Sequence, residues 1–178
     1  MVSIADEVTL NLQPLIGLKL SRMALAADMR TLQFGNTEAR KDGGVVGEYA
    51  LHVQCPWRLE GKTGIITGSG DLYVPYENSE EPEDSFDWEK GGSLQDSVLR
   101  ELLRGYDENT KQIVNSTKLL VVEDIHSDSA GGFCLTLSGG YRFAVFPNGT
   151  RCEAWRVFRP SKDQYKSDEK HFVVPRQD

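Results

Sequence analysis

No apolar run in this sequence approaches the roughly 18 to 20 residues that a membrane-spanning helix requires; the longest apolar stretches are broken by charge, proline or glycine within a few positions. The residues of covalent and metal chemistry are also scarce, with 3 cysteines and 3 histidines among 178 residues. The N-terminus, MVSIADEVTLNLQPLIG, has acids where a secretory signal needs a basic region. An odd cysteine count in a chain without such a signal argues against a disulfide framework, and a reducing cytoplasm is the expected setting. Lys and Arg total 20 against 27 Asp and Glu, a formal charge of -7, with no basic stripe to follow a phosphate backbone. Nucleic acid is therefore not an expected partner, and neither is a membrane. Two catalytic signatures are missing as well. There is no Gly-x-Ser-x-Gly elbow. In Glu60-Gly61-Lys62-Thr63-Gly64 the first glycine of a phosphate loop is replaced by Pro56, so the segment is expected to be a β-turn.

What the sequence does have is a concentration of charge. The stretch ENSEEPEDSFDWE, residues 77–89, contains Glu77, Glu80, Glu81, Glu83, Asp84, Asp87 and Glu89 and no base, so the remainder carries 20 acids against 20 bases. Phe86 and Trp88 lie inside this run. A merely solvated loop has little need of two large aromatics. Either they tack the loop to the body or they are anchors for a partner within an acidic patch.

Hydrophobic patterning suggests an antiparallel α+β domain. From Tyr49 the chain alternates, with Tyr49, Leu51, Val53, Cys55 and Trp57 on one face, and Pro56 marks the end or edge of that strand. Short β runs are expected at Gly64–Thr67 and Leu72–Val74. In GGSLQDSVLRELLRGY, Ser93 is a natural N-cap with Asp96 three residues on, and Leu94, Val98, Leu99, Leu102 and Leu103 form an apolar stripe. This predicts the principal amphipathic helix over about 93–104, with Gly105 at its C-terminal end. Residues 15–34 fit both helical and strand spacing. The strand reading, with a turn near Ala27-Asp28, is preferred because of the repeat described next. After residue 117 the pattern is again β: LLVVEDI, a turn at HSDSAGG containing His126, FCLTL, a tight SGG, YRFAVF, a turn at PNGT, CEAWRVF, and a final HFVV.

Twice the chain writes glycine, an aromatic-led alternating run, a proline, and then a Trp-Arg pair: GEYALHVQCPWRLEG and GGYRFAVFPNGTRCEAWRVF. This predicts one domain over 1–178 made of two related β units, about 15–75 and 117–175, flanking the acidic loop 77–89 and the helix. Neither unit can bury its apolar face alone. The stretches Leu51–Leu59, Phe143–Phe146, Glu153–Val157 and His171–Val174 also resemble a loose group of small uncharacterised bacterial proteins with HVQCPWRL and EAWRV…HFVV type strands. Some similar proteins are thought to be immunity proteins of toxin systems. The resemblance implies protein binding and brings no catalytic residues with it.

His52-x-x-Cys55 suggests a metal site, but residues three apart on a strand point to opposite faces, and no second pair has zinc-ligand spacing. No metal and no cofactor are expected, and Cys55, Cys134 and Cys152 read as small core residues. In the Trp57-Arg58 and Trp155-Arg156 pairs, an inward Trp puts its Arg outside. The leading expectation is an immunity-type protein that neutralises a basic protein partner, such as a toxin domain, through Glu80, Glu81, Glu83, Asp84, Phe86, Asp87 and Trp88. The alternative is a small-molecule-binding protein or enzyme using a β cleft lined by His52, Arg58 and Arg156.

Overall fold

The computed structural model describes residues 2–76, 86–107, 109–114, 119–163 and 165–175. In chain order its elements are α1 (Ile4–Leu12), β1 (Leu20–Ala26), β2 (Met29–Phe34), β3 (Glu38–Ala39), β4 (Val45–Val46), β5 (Tyr49–Val53), β6 (Trp57–Gly61), β7 (Gly64–Gly68), α2 (Leu94–Leu102), β8 (Tyr106–Asp107), β9 (Gln112–Ile113), β10 (Val122–Ser127), β11 (Phe133–Leu137), β12 (Tyr141–Val145), β13 (Trp155–Arg159) and β14 (Glu169–Val174). The fold is mainly antiparallel β, as the patterning implies. No helix among the described residues is long and apolar enough to cross a membrane.

The larger sheet runs β14-β13-β5-β2-β1-β9-β8 and the second β10-β11-β12-β6-β7. The two Pro-Trp-Arg stretches explain how the sheets join. The first passes from β5 in the larger sheet, through Pro56, to β6 in the second. The other passes from β12 in the second sheet to β13 in the larger. They lie antiparallel, β5 against β13 and β6 against β12. Trp57 therefore stands opposite Val145, and Trp155 opposite Val53. At the bend, Phe146 donates to the Pro56 carbonyl at 2.8 Å, and Gln54 and Cys55 both donate to the Ala154 carbonyl, at 2.8 and 3.1 Å. The matched stretches are thus each other's partners. Pro147–Thr150 carries the chain between sheets rather than closing a hairpin, a correction to the reading of PNGT as a simple turn.

On the far side the sheets also touch. Lys19 bridges Val121, and Leu20 donates to the Leu120 carbonyl at 2.8 Å. The enclosed core holds Trp57, Leu59, Leu135, Phe143 and Trp155, all buried. Trp155 is fully buried, packs edge-on against Phe133 at 4.7 Å, and donates its indole N–H to the Gly131 carbonyl at 2.8 Å. Trp57 packs against Phe143 at 5.3 Å. Both tryptophans are core anchors, and Arg58 and Arg156 beside them are only part-buried.

Within residues 15–34 the strand reading holds from Leu20 onward, while Leu15 ends a short 3-10 helix. β1 and β2 are a hairpin turning at Ala27-Asp28, where Ala27 takes φ 52°. β6 and β7 make the turn expected at Lys62-Thr63. Other expectations are corrected. Leu72–Val74 is not a strand: Ser69–Tyr73 winds into a 3-10 helix, with Asp71 accepting from Thr67 Oγ1 at 2.8 Å. His126 lies within β10, opposite Cys134, rather than in the turn. α2 is found where expected, ending at Leu102. It buries Leu99 and Leu102, with Leu103 just beyond, while Leu94 and Val98 are half-buried. α1 was not anticipated. Ser3 and Asp6 close a full capping box at its start, and it buries Val8 and Leu12 as it packs on β10.

Candidate functional site

The segment that holds the charge excess begins and ends at a built neck. Pro75 bridges Ser93, Leu94 donates to the Val74 carbonyl at 2.7 Å, and Tyr76 donates to the Gly92 carbonyl at 3.1 Å. Glu77, Glu80, Glu81, Glu83 and Asp84 lie outside the described residues. Phe86, Asp87 and Trp88 are half-buried on the returning side. The Trp88 ring meets Tyr73 edge-on at 5.6 Å. Asp87 accepts from the Glu89 amide at 3.1 Å and pairs with Lys90 at 3.3 Å. Tyr73, Val74 and Tyr76 are 54, 42 and 42% exposed, so the neck carries an apolar, aromatic surface. Trp88 both tacks the segment to the body and remains partly open to solvent.

On another side of Trp88 lies a cleft of about 590 Å³. Its walls are the tip of the β1–β2 hairpin, the turn Trp88–Gly91, the α2 residues Asp96, Leu99 and Arg100, and Tyr106 and Lys111. Its charged residues are Arg30, Lys90, Arg100 and Lys111 against Glu89 and Asp96. Arg30 is the residue that sequence reasoning missed. It is 3% exposed, yet it sits on β2 with an apolar core on one side and this cleft on the other. Its Nη2 donates to Gln95 Oε1 and to Asp96 Oδ1, the latter at 3.3 Å. Among the described residues its Nε has no hydrogen-bond partner. Burial lowers the Arg30 pKa from its ordinary value, and Asp96 opposes that shift. The Ser93 hydroxyl caps α2 by accepting from the Asp96 amide at 3.1 Å, which leaves the Asp96 carboxylate to face Arg30. Gln95 completes the tie by donating to the Gly68 carbonyl at 2.8 Å, linking α2 to β7.

The residues of the alternative cleft are divided between the sheets. His52 on β5 and Arg156 on β13 are cross-strand neighbours in the larger sheet. His52 packs edge-on against Phe158 at 4.8 Å, and Phe158 stacks on His171 at 4.8 Å. Arg156 pairs with Glu153 at 2.7 Å. Arg58 stands on β6 in the second sheet, paired with Glu60 at 2.5 Å and lying over the Phe146 ring at 4.6 Å. Burial, with help from Arg156, lowers His52 to about 4. Among the described residues, no group of three or more His, Cys, Asp and Glu is arranged to hold a metal ion. The fold and site together define an antiparallel β protein in which backbone pairing of 74–76 with 92–94 lies beside a cleft lined by residues of both charges. No known protein family, no curated protein and no solved structure matches this chain.

Proposed function

We propose that this protein binds a basic protein partner, as an immunity-type protein would bind a toxin domain, through the segment 77–89 and its neck. The carrying observation is the neck. Backbone pairing of Val74 and Tyr76 with Leu94 and Gly92 joins the chain on either side of the acidic run, where Tyr73, Val74 and Tyr76 are exposed. Acids at a rim speed encounter with a basic partner, and aromatics at the centre supply the buried anchors. The sequence resemblance to immunity-type proteins supports the same reading.

The test is binding kinetics on a basic partner isolated from the native host. Replacing Glu80, Glu81, Glu83 and Asp84 by Ser is expected to slow association and flatten its salt dependence. Trp88→Ala is expected to speed dissociation, at a cost of about 2 kcal/mol or more. Rates unchanged in both variants would place the interface elsewhere.

A further inference from the structure

The chain contains a single Asn-Gly pair, Asn148-Gly149; its other asparagines, Asn11, Asn36, Asn78, Asn109 and Asn115, precede Leu, Thr, Ser, Thr and Ser. The pair lies in the loop that carries the chain from β12 in the second sheet to β13 in the larger. Asn148, Gly149 and Thr150 are all exposed. The loop is held at its ends, where Phe146 donates to the Pro56 carbonyl at 2.8 Å and Ala154 to the Val174 carbonyl at 2.7 Å. Among the described residues nothing accepts from the Gly149 amide and nothing bonds the Asn148 side chain. Beyond its chain neighbours, no heavy atom lies within 4 Å of where a Cβ on Gly149 would stand.

These are the conditions for a reaction between an asparagine side chain and the next peptide nitrogen. A solvated amide N–H without an acceptor in the fold can lose its proton to base, and glycine puts no side chain in the way. The other described asparagines are worse placed. The Asn11 carboxamide donates to the Glu7 carbonyl at 2.9 Å within α1. For Asn109 the nitrogen that would attack belongs to Thr110, and it already donates to the Asp107 carboxylate at 3.1 Å. Asn36 is held through its own amide by Glu48 at 2.8 Å, and a β-branched threonine follows it.

We propose that Asn148 deamidates spontaneously in the folded protein, through a cyclic imide with Gly149. The Gly149 nitrogen gives its proton to hydroxide and bonds to the side-chain carbonyl carbon of Asn148. The carbon–nitrogen bond of the carboxamide breaks, and the leaving nitrogen takes up a proton and departs as ammonia. Water then opens the imide at either carbonyl. One opening gives aspartate, and the other gives isoaspartate, with the backbone rerouted through the former side chain. Nothing is oxidised or reduced, and water is the only co-reactant. Either product adds a negative charge to a formal charge of -7. Because both ends of the loop are fixed by backbone bonds elsewhere in the fold, β12 and β13 keep their register.

The full chain is kept folded in mildly alkaline buffer. Samples drawn over days are digested at acidic pH and mapped by mass spectrometry, with isoaspartate separated from aspartate by chromatography. Isoelectric focusing follows the charge, and circular dichroism follows the sheets. Asn148 is expected to convert ahead of every other asparagine, with both products present, a more acidic band growing, and the β-sheet signal kept. Gly149→Ala, whose methyl group has room in the fold, is expected to slow conversion severalfold. The proposal is overturned if Asn148 stays intact or another asparagine converts first, if aspartate appears without isoaspartate, if conversion proceeds only with loss of the β-sheet signal, or if Gly149→Ala converts as fast as the parent.

Discussion

His52 lies within β5 and Cys55 three positions on, just past its end, and burial acts on them in opposite directions because it disfavours whichever form is charged. For His52 the charged form is the acid, so its pKa falls to about 4. The unfolded chain takes up that proton near the ordinary value of about 6.5, while the folded chain does not until near 4. Between those values the unfolded state binds more protons, so this residue's contribution to stability is present above pH 6.5 and is lost as the pH falls towards 4. Urea unfolding of the parent and of His52→Gln across this range is expected to show the parent's advantage shrinking with acidification. A constant difference would mean that His52 titrates normally. For Cys55 the charged form is the base, and burial raises the thiol to about 11. Cys152, by contrast, is exposed. A thiol reagent near pH 8 is expected to modify Cys152 quickly and Cys55 only on unfolding, as peptide mass mapping would show.

At the scale of elements, α2 is where the sequence is most readable. Ser93-x-x-Asp96 marks its start, and the apolar stripe turns Leu99 and Leu102 inward. Leu99→Ala is expected to cost about 2 to 5 kcal/mol, and Val98→Ala, on the half-buried flank, clearly less. Ser93→Ala is expected to cost about 1 kcal/mol through the lost cap, with Leu99→Ala measured beside it by urea midpoint. The same signature, Ser3-x-x-Asp6, opens α1, but this helix buries only Val8 and Leu12, too short an apolar stripe to announce it. Leu72–Val74 fails as a strand because Asp71 bonds locally to Thr67 and turns the backbone into a 3-10 coil. Local side-chain bonds of this kind compete with ladder pairing, and apolar periodicity does not record them. The site divides in the same way. Acids and aromatics crowded into 77–89 are visible as composition. The importance of Arg30 is not, because its partners Gln95 and Asp96 come from a helix 65 and 66 positions away.

At the scale of the molecule, the crossing of β5–β6 with β12–β13 makes the two sheets one cooperative unit. Trp155 belongs to the larger sheet and Trp57 to the second, and each stands opposite a valine from the other crossing segment. Single-tryptophan proteins retaining only Trp57 or only Trp155 are expected to unfold at the same urea concentration, coincident with the loss of β-sheet circular dichroism. Two separated midpoints would show sheets that melt independently. The repeated Gly, proline and Trp-Arg pattern is legible in the sequence, but its meaning is not. Two similar hairpins side by side and two bent strands laid across each other produce the same alternation, and only the register distinguishes them. That register also governs how the protein is made. Val53 waits for Trp155, a partner about a hundred residues downstream, and such distant closures slow folding. While the ribosome is still adding the last quarter of the chain, β5 and β6, interior strands of the two sheets, each have an unfilled side. Until residues 141–159 arrive, Leu51, Val53 and Trp57 lack the strands that pair with theirs in the folded sheets, so a chain arrested before that point is expected to aggregate.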